Sequence, residues 1–393
     1  MKKIAIAVAA ALTATAASAA NFNLYGVVDT GFGYTNKDTL LDGTTNTFEM
    51  INGYTASSRF GLKGTEDLGN GYSVSFILEN GFASDTGVLS QSGRMFGREA
   101  NLKVHSPYGT LSFGRAGTLL SGASSLEIFG TYADALPGGW DGIFNVANYQ
   151  GNGMRLDNMV TYQTPTAAGF TGYAQYSFAN DTKNGDSDNV DNMRKTNRYT
   201  AFGLTYANGP VNAVVIYDTT MFKHYGPHNN NPDKSLDVGD NRNITVGGSY
   251  DFGFMRVSAY GQYVKGARSA YGKDIWGFDL SEAGIAADMP FYGDADGYNF
   301  GLGTQVPLSW GRVYVAAYYG ALEVNDTAQD AQDVDIQNFN ILLGTEYDFS
   351  KRTSLYSGIA YRQVKADSDV KDYVKDYVND KTTQVIVGLR HAF

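Results

Sequence analysis

The sequence of 393 residues contains no cysteine, only four histidines and, beyond its N-terminal segment, no long apolar run. Without cysteine, neither a disulfide framework nor thiol chemistry is available. A spanning helix needs roughly 18 to 20 consecutive apolar residues, so any membrane crossing must be made by strands. Acidic residues outnumber basic ones, 40 against 30, which argues against nucleic acid as a partner.

The N-terminal segment has the pattern of an export signal. Lys2 and Lys3 precede the apolar run Ile4 to Leu12, and Ala17-Ser18-Ala19 provides the small residues that a signal peptidase requires. We therefore expect residues 1–19 to be a signal peptide and residues 20–393 to be the mature chain. An exported protein that can cross a membrane only with strands belongs in a bacterial outer membrane.

Aromatic residues and glycine are plentiful, with 28 Tyr, 22 Phe and 47 Gly. They suit the aromatic girdles of a barrel and places where its wall is closely approached. The end of the chain alternates in polarity: one face carries Thr383, Val385, Val387, Leu389, His391 and Phe393, and the other carries Gln384, Gly388 and Arg390. Because successive side chains of a strand point to opposite faces, this pattern predicts a strand with lipid on one side and water on the other.

The middle of the chain repeats one pattern: an alternating segment, a tight turn, a second alternating segment and a longer polar loop. The breaks predict about sixteen strands, near 22–36, 57–65, 72–82, 94–105, 110–116, 157–164, 169–180, 199–207, 211–221, 242–251, 254–265, 298–306, 312–322, 338–349, 353–364 and 382–393, and an outer loop over 37–53. An even number of antiparallel strands can close without edges. The predicted fold is an all-β transmembrane antiparallel barrel, wide enough at about sixteen strands to enclose a water-filled channel.

The interval between Arg115 and Asp157 contains no predicted strand and interrupts this pattern. It contains more large apolar residues than an exposed loop should hold, namely Leu119, Leu120, Leu126, Ile128, Phe129, Leu136 and Phe144. Long loops without strands usually carry function. We expect residues 116–156 to fold into the barrel as a constriction loop, with one more exterior loop as the alternative.

Four segments resemble a known family, the trimeric general-diffusion porins of Gram-negative outer membranes. They are Leu24 to Asp29, Ser58 to Gly69, Phe113 to Arg115 and Val387 to Phe393. The resemblance covers the whole mature chain. It implies a sixteen-stranded barrel whose third outer loop forms an eyelet, with basic residues on the wall facing acidic residues on the loop.

The resemblance also implies which residues line the constriction. Asp134 matches a carboxylate that enteric porins present to the pore. Enteric porins have a glutamate after the proline that corresponds to Pro137, whereas this chain has Gly138 and Gly139 there. The eyelet is therefore expected to be less acidic or wider. Lys63 shares a face with Arg59 by its period-two spacing. The predicted constriction residues are Arg59, Lys63, Arg98 and Arg115 on the wall and Glu127, Asp134 and Asp141 in the loop. Each arginine could instead form a rim or interface salt bridge of little energy.

Arg98 fits its strand poorly. Placing it inward sends Glu99, Asn101 and Lys103 outward by alternation, and lipid would not tolerate them. A subunit interface would, and the resemblance implies a homotrimer in outer-membrane lipid. The predicted arrangement therefore puts these residues between subunits.

The predicted function is passive diffusion of ions and small hydrophilic solutes, with no cofactor. A solute-specific channel remains the alternative, because Tyr132, Trp140 and Phe144 of the loop could bind a ligand. Ion selectivity stays open, since the net charge of a chain does not set it: exposed charges are screened beyond roughly 8 Å at physiological salt.

Catalysis is not expected, because a hydrolytic barrel would need a base beside an activated nucleophile or water. His391 faces outward, His105 lies near a turn, and His224 and His228 share one polar loop. That loop is not expected to hold a metal either, being rich in Gly, Pro and Asn.

Overall fold

A computed structural model describes most of the mature chain. The described residues are 21–39, 43–121, 125–136, 140, 155–179, 197–221, 240–267, 274–275, 278–279, 294–325, 334–368 and 378–393. The predicted signal peptide, Phe144, His224 and His228 lie outside them.

Most of these residues belong to strands. The strands are β1 (Asn21–Thr39), β2 (Gly43–Asn52), β3 (Arg59–Gly69), β4 (Tyr72–Gly81), β5 (Glu99–Ser106), β6 (Gly109–Gly117), β7 (Arg155–Gln163), β8 (Phe170–Ser177), β9 (Arg198–Asn208), β10 (Val211–Met221), β11 (Asn241–Asp251), β12 (Arg256–Ala267), β13 (Asp274–Ile275), β14 (Phe278–Asp279), β15 (Asp294–Leu308), β16 (Gly311–Asn325), β17 (Val334–Asp348), β18 (Thr353–Ser368) and β19 (Val378–Ala392). Two short helical turns accompany them, α1 (Ser90–Gly93) and α2 (Ile128–Tyr132).

The strands form a closed antiparallel barrel. Most pair with a sequence neighbour, β12 pairs with β15, and β19 closes onto β1 from Val27↔Ala392 to Asp38↔Lys381. Seventeen described strands belong to this sheet, while β13 and β14 form a separate ladder. Because β2 and β3 lie in series beside the two halves of β1, the wall has sixteen positions. The predicted sixteen-stranded barrel is confirmed.

The polar segment after β1 was assigned to an outer loop, and this prediction is wrong for most of its length. β1 continues to Thr39, and β2 returns beside it as a hairpin. The rings of Phe32 and Phe48 stack with centroids 5.8 Å apart, and the Tyr34 hydroxyl donates to Asn46 Oδ1 at 2.7 Å. Thr and Asn suit loops as well as paired strands, so polarity alone did not distinguish the two.

The wall alternates as the terminal segment predicted. Along β19, Val385, Val387 and Leu389 are exposed on the outer face, whereas Gln384 and Gly388 are buried. This arrangement gives the barrel an apolar outside and a polar inside, which is what lipid and water require.

The two ends of the barrel differ. Short turns join strands at one end, here called the turn end, such as Asn70-Gly71 between β3 and β4, where both residues have positive φ. Longer connections, such as the one from β6 to β7, lie at the other end. No helix in the described part of the chain is long and apolar enough to cross a membrane.

Candidate functional site

The described residues between β6 and β7 pack on the inner wall. This loop segment comprises residues 118–121, 125–136 and 140, and its apolar side chains Leu119, Leu120, Ile128, Phe129, Leu136 and Trp140 are all buried. Phe129 meets the Tyr260 ring of β12 edge-on, with centroids 5.1 Å apart. Burial of so much apolar surface stabilises the segment against the wall.

Glycines of the wall make room for the loop segment. They are Gly203 on β9, Gly247 on β11, Gly303 on β15 and Gly344 on β17. A Cβ atom at Gly247 would lie 2.6 Å from the Ala133 Cβ, and one at Gly344 would lie 2.6 Å from the Trp140 ring. Real Cβ atoms do not approach that closely, so the missing side chains allow the segment to lie flat.

The Trp140 ring packs over Gly344 and between Tyr314 and Tyr356, an aromatic contact site here called the Trp140 seat. Its ring meets those of Tyr314 and Tyr356 edge-on, with centroids 5.6 and 6.2 Å away. Tyr356 in turn donates from its hydroxyl to Asp29 Oδ1 at 2.7 Å. The far end of the segment is therefore fixed to β16, β17 and β18, and the fully buried indole is not available to a solute.

A charged cluster lies on strands that the loop segment does not cover, centred on Glu79 of β4. The Arg98 Nε atom donates to Glu79 Oε1 at 2.5 Å, and the Arg59 Nε atom lies 3.6 Å from Oε2. The Tyr25 hydroxyl also donates to Oε2, at 2.9 Å. Two of the predicted wall arginines are thus brought together by one carboxylate.

The alternation in β5 is opposite to the one that Arg98 required. Arg98 precedes the strand, and its side chain turns inward to Glu79. Its direction therefore does not determine which residues of β5 face the inside of the barrel. Glu99, Asn101 and Lys103 point inward, and the expectation that they lie between subunits is wrong. Residues 94–98, which precede β5, are not in a strand, and this resolves the conflict, because alternation applies only within the strand.

The inward residues of β5 hold Ser125 of the loop segment. Glu99 accepts hydrogen bonds from the backbone N–H and the hydroxyl of Ser125, at 3.2 and 2.5 Å. Lys103 donates to the same hydroxyl at 2.7 Å. Asn101 donates to Glu99 Oε1 at 2.5 Å. Charged wall residues and the loop are therefore one network.

Glu127 is the loop carboxylate that faces the charged cluster. Its backbone is left-handed, with φ at 40° and ψ at 40°, immediately before α2. This conformation is uncommon outside glycine and marks a constrained position. Burial raises the pKa of Glu127, while the guanidinium groups of Arg59 and Arg98 act in the opposite direction.

Asp134 is placed against the wall on the other side of the loop segment. Its Oδ1 atom accepts from the Leu136 N–H at 3.1 Å and from the Tyr318 hydroxyl at 3.3 Å. Burial raises the pKa of Asp134 to about 6, although these donors and Arg256 pull it downward. Arg256 also donates to the carbonyl oxygen of Thr131. These contacts make Asp134 an anchor between the loop and β16.

The remaining predicted residues are spread out. Arg115 donates to Asp157 Oδ1 at 2.6 Å and to the Gly97 carbonyl oxygen at 2.8 Å, so it ties β6 to β7 and to the connection before β5. The Lys63 ammonium lies 4.9 Å from the centre of the Tyr25 ring. Asp141 lies outside the described residues.

Sequence reasoning missed the carboxylates that organise these cations. Glu79 was not among the predicted constriction residues, and Asp157, which also receives a bidentate bond from Arg94 at 3.2 and 3.0 Å, was used only to mark a boundary. An inward carboxylate in a barrel wall needs a cationic partner, and this requirement is the signal that could have found Glu79.

Comparison with known proteins identifies relatives over the whole chain. The sequence model of a family described as Gram-negative porin matches residues 5–367. An outer membrane porin protein of Bordetella pertussis is 32% identical, and outer membrane porin protein 32 of Delftia acidovorans is 29% identical, each over 100% of both chains.

Solved structures agree with this relationship. An anion-selective porin from Comamonas acidovorans aligns with a TM-score of 0.65 and 26% identity, over 95% of this chain and 100% of that one. OmpT of Vibrio cholerae in its trimer form aligns with a TM-score of 0.57 and 16% identity, over 96% of this chain and 100% of that one. The first structure shares sequence and fold with this chain, and the second shares the fold.

Proposed function

This chain belongs to the Gram-negative porin family, and from that premise we propose that its channel passes small anions in preference to small cations. The protein is an outer-membrane porin whose barrel forms a channel for passive diffusion. Family membership leaves open which charge the channel prefers and where it is narrowest.

The exposure of paired charges on the inner wall carries the proposal. Arg390 has 26% of its side chain exposed against 3% for its partner Glu346, and Arg59 has 24% against 12% for Glu79. Lys103 is likewise more exposed than Glu99. Arg98 is the more buried partner of Glu79, so Arg59 carries the exposed charge of that cluster. A permeating ion meets the cations first, and nearby charges outweigh the net charge of −10 of the whole chain.

The constriction lies, in this proposal, where Glu127 of the loop segment faces the charged cluster. Arg59, Arg98 and Lys63 form the basic side, and Glu127 forms the acidic side. Opposed charges across a narrow passage orient polar solutes and disfavour apolar ones. Arg115 and Asp134 serve this passage indirectly, by holding strands and loop in place. Asp141 remains a predicted lining residue.

The relative of known selectivity points the same way. The porin from Comamonas acidovorans that shares 26% identity with this chain is described as anion-selective. Shared ancestry makes the same preference a reasonable expectation here, and the exposed cations supply a physical reason for it.

Single-channel recording under a KCl gradient tests the proposal. We expect stepwise conductance and a reversal potential of the sign that chloride preference gives. Arg59→Gln should move that potential toward cation preference, because it removes an exposed cation from the constriction. Arg242→Gln is the matched control, since Arg242 is exposed on the outer face of β11.

Each outcome removes a different part of the proposal. The absence of conductance steps would contradict the channel itself. Cation preference in the wild-type protein would contradict the selectivity and leave the channel standing. An unchanged reversal potential in Arg59→Gln would remove Arg59 from the constriction.

Partners follow from the same family membership. The apolar outer face suits outer-membrane lipid, and ions and small hydrophilic solutes are the permeating species. The homotrimer remains a prediction, which chemical cross-linking of the detergent-solubilised protein tests. We propose no catalytic step for this channel.

A further inference from the structure

A cavity on the inner face at the turn end is surrounded by basic side chains. It has a volume of about 280 Å³ and is lined by residues of β1, β3, β16, β17, β18 and β19 together with the turn between β17 and β18. Its basic lining residues are Arg59, Arg312, Lys351, Arg352 and Arg390. The cavity thus begins at the charged cluster and extends toward the turn end.

Carboxylates at the cavity neutralise only part of this charge. Asp348 lines it and accepts from Arg312 at 2.9 Å. Glu346 lies behind, 3.7 Å from Arg312 and 3.5 Å from Arg390, and is 3% exposed. Basic groups therefore outnumber acidic ones, and the guanidinium groups of Arg312 and Arg390 retain N–H donors beyond those used in these pairs.

A neutral hydrogen-bond donor, the Ser354 hydroxyl, also lies at this cavity. Ser354 is the cross-strand partner of Arg390, so the two side chains lie side by side on the inner face. Its hydroxyl is buried and has no hydrogen-bond partner among the described residues. A buried hydroxyl without a partner costs free energy, which a ligand that accepts its hydrogen bond would recover.

The turn that presents the other two cations is internally ordered. The Ser350 hydroxyl accepts from the backbone N–H groups of Arg352 and Thr353, both at 3.1 Å. Lys351 and Arg352 are exposed on this turn. The cations therefore surround the cavity from two sides, one set on the strands and one on the turn.

We propose that this turn-end cavity binds a small oxyanion of the phosphate class and is a station for such anions as they cross the channel. The proposal rests on the anion-passing function proposed above and names one class of solute for it. Planar guanidinium groups donate in pairs to phosphate oxygens, and the lysine adds a point charge. The volume suits a solute smaller than a drug-sized ligand. Because the lining strand residues point inward, the occupant comes from the channel rather than from lipid.

The test uses the full protein in a bilayer of zwitterionic lipid. Single-channel current in KCl is recorded at pH 7.5 while inorganic phosphate is added at constant ionic strength. We expect the chloride current to fall and then saturate as phosphate occupies the cavity. Arg390→Gln should raise the half-saturating phosphate concentration by roughly tenfold or more, because a hydrogen bond to a charged group is lost. Ser354→Ala should raise it by a smaller factor.

Two further variants keep the proposal open to refutation. Lys351→Gln combined with Arg352→Gln changes only exposed turn residues, so folding should survive and phosphate should bind more weakly. Arg242→Gln, on the outer face, should leave the half-saturating concentration unchanged.

The outcomes separate this proposal from the one it rests on. Conductance steps in KCl with no saturation by phosphate would overturn the oxyanion site and leave the anion-preferring channel intact. Saturation that persists unchanged in both the Arg390 and the turn variants would overturn the assignment to this cavity. A protein that gives no steps in KCl would overturn both.

Discussion

Two arcs of the inner wall face each other across the channel and are built on different principles. The covered arc, from β9 to β18, presents glycine and tyrosine to the loop segment. The charged arc, formed by β1, β3, β4, β5 and β19, presents Arg59, Lys103 and Arg390, each of which is more exposed than the carboxylate with which it pairs. Packing volume determines what lies against the first arc, and in our proposal charge determines which ions pass the second.

The loop segment depends on both arcs, but unequally. Ser125 and Glu127 contact or face the charged arc through polar groups. Most of the rest of the segment, including Leu119, Ile128, Leu136 and Trp140, is held by packing on the covered arc. Because burial of large side chains contributes more than a partly exposed ion pair, we expect the covered arc to fix the position of the loop.

Removing the aromatic anchor should have the largest effect on this comparison. Trp140→Ala empties the seat between Tyr314 and Tyr356 and should weaken loop docking by about 3–5 kcal/mol, the range for truncating a buried large aromatic residue. The released loop should let larger sugars pass. Liposome swelling measures this, and we expect a clear rise for solutes that the wild-type channel excludes.

A second tryptophan provides the matched control. Trp310 stacks on Tyr347 at 6.2 Å and is exposed at the turn end. Trp310→Ala should leave swelling rates near those of the wild type. Equal swelling in both variants and the wild type would show that Trp140 does not hold the loop.

The fold was far easier to predict from the sequence than the Trp140 seat. Alternation along β19 and short turns such as Asn70-Gly71 follow from local backbone chemistry, so strand number and closure could be predicted from the sequence. The seat joins Trp140 to Gly344, which are distant in sequence, and no local pattern pairs them. Glu79 stayed unrecognised for the same reason, since its partners Arg59 and Arg98 are brought to it by the barrel.

Filling a glycine position on the covered arc should have the next largest effect. In Gly344→Ala the new methyl group would lie 2.6 Å from the Trp140 ring, so the ring or the strand must move. Overpacking of this kind costs about 1–3 kcal/mol. We expect the loop to be pushed toward the channel axis and the single-channel conductance in KCl to fall.

Gly172→Ala is the matched substitution on β8. There the methyl group would lie 3.3 Å from Thr164 Cγ2, a contact that a small shift relieves. Its conductance should match that of the wild type. If both variants conduct alike, the close approach at Gly344 does not position the loop.

The smallest expected effect concerns pH and Asp134. Burial raises the pKa of Asp134 to about 6 from its usual 3.8, so the docked loop holds a proton more tightly than an undocked loop would. Docking is therefore strongest below pH 3.8, weakens as the pH rises toward 6 and is constant above that. Between pH 7.5 and 5 the docking equilibrium should change by about tenfold, or about 1.4 kcal/mol.

Open-channel current noise at pH 5 and pH 7.5 reports this change, because a loosely docked loop modulates the current. The wild-type channel should be noisier at pH 7.5. Asp134→Asn keeps the shape of the protonated acid, so its noise should be low and independent of pH. Burial also raises the pKa of Glu127, which faces the charged arc, and Glu127→Gln separates its contribution. If the pH dependence disappears in Glu127→Gln and persists in Asp134→Asn, the charged arc rather than the covered arc controls docking.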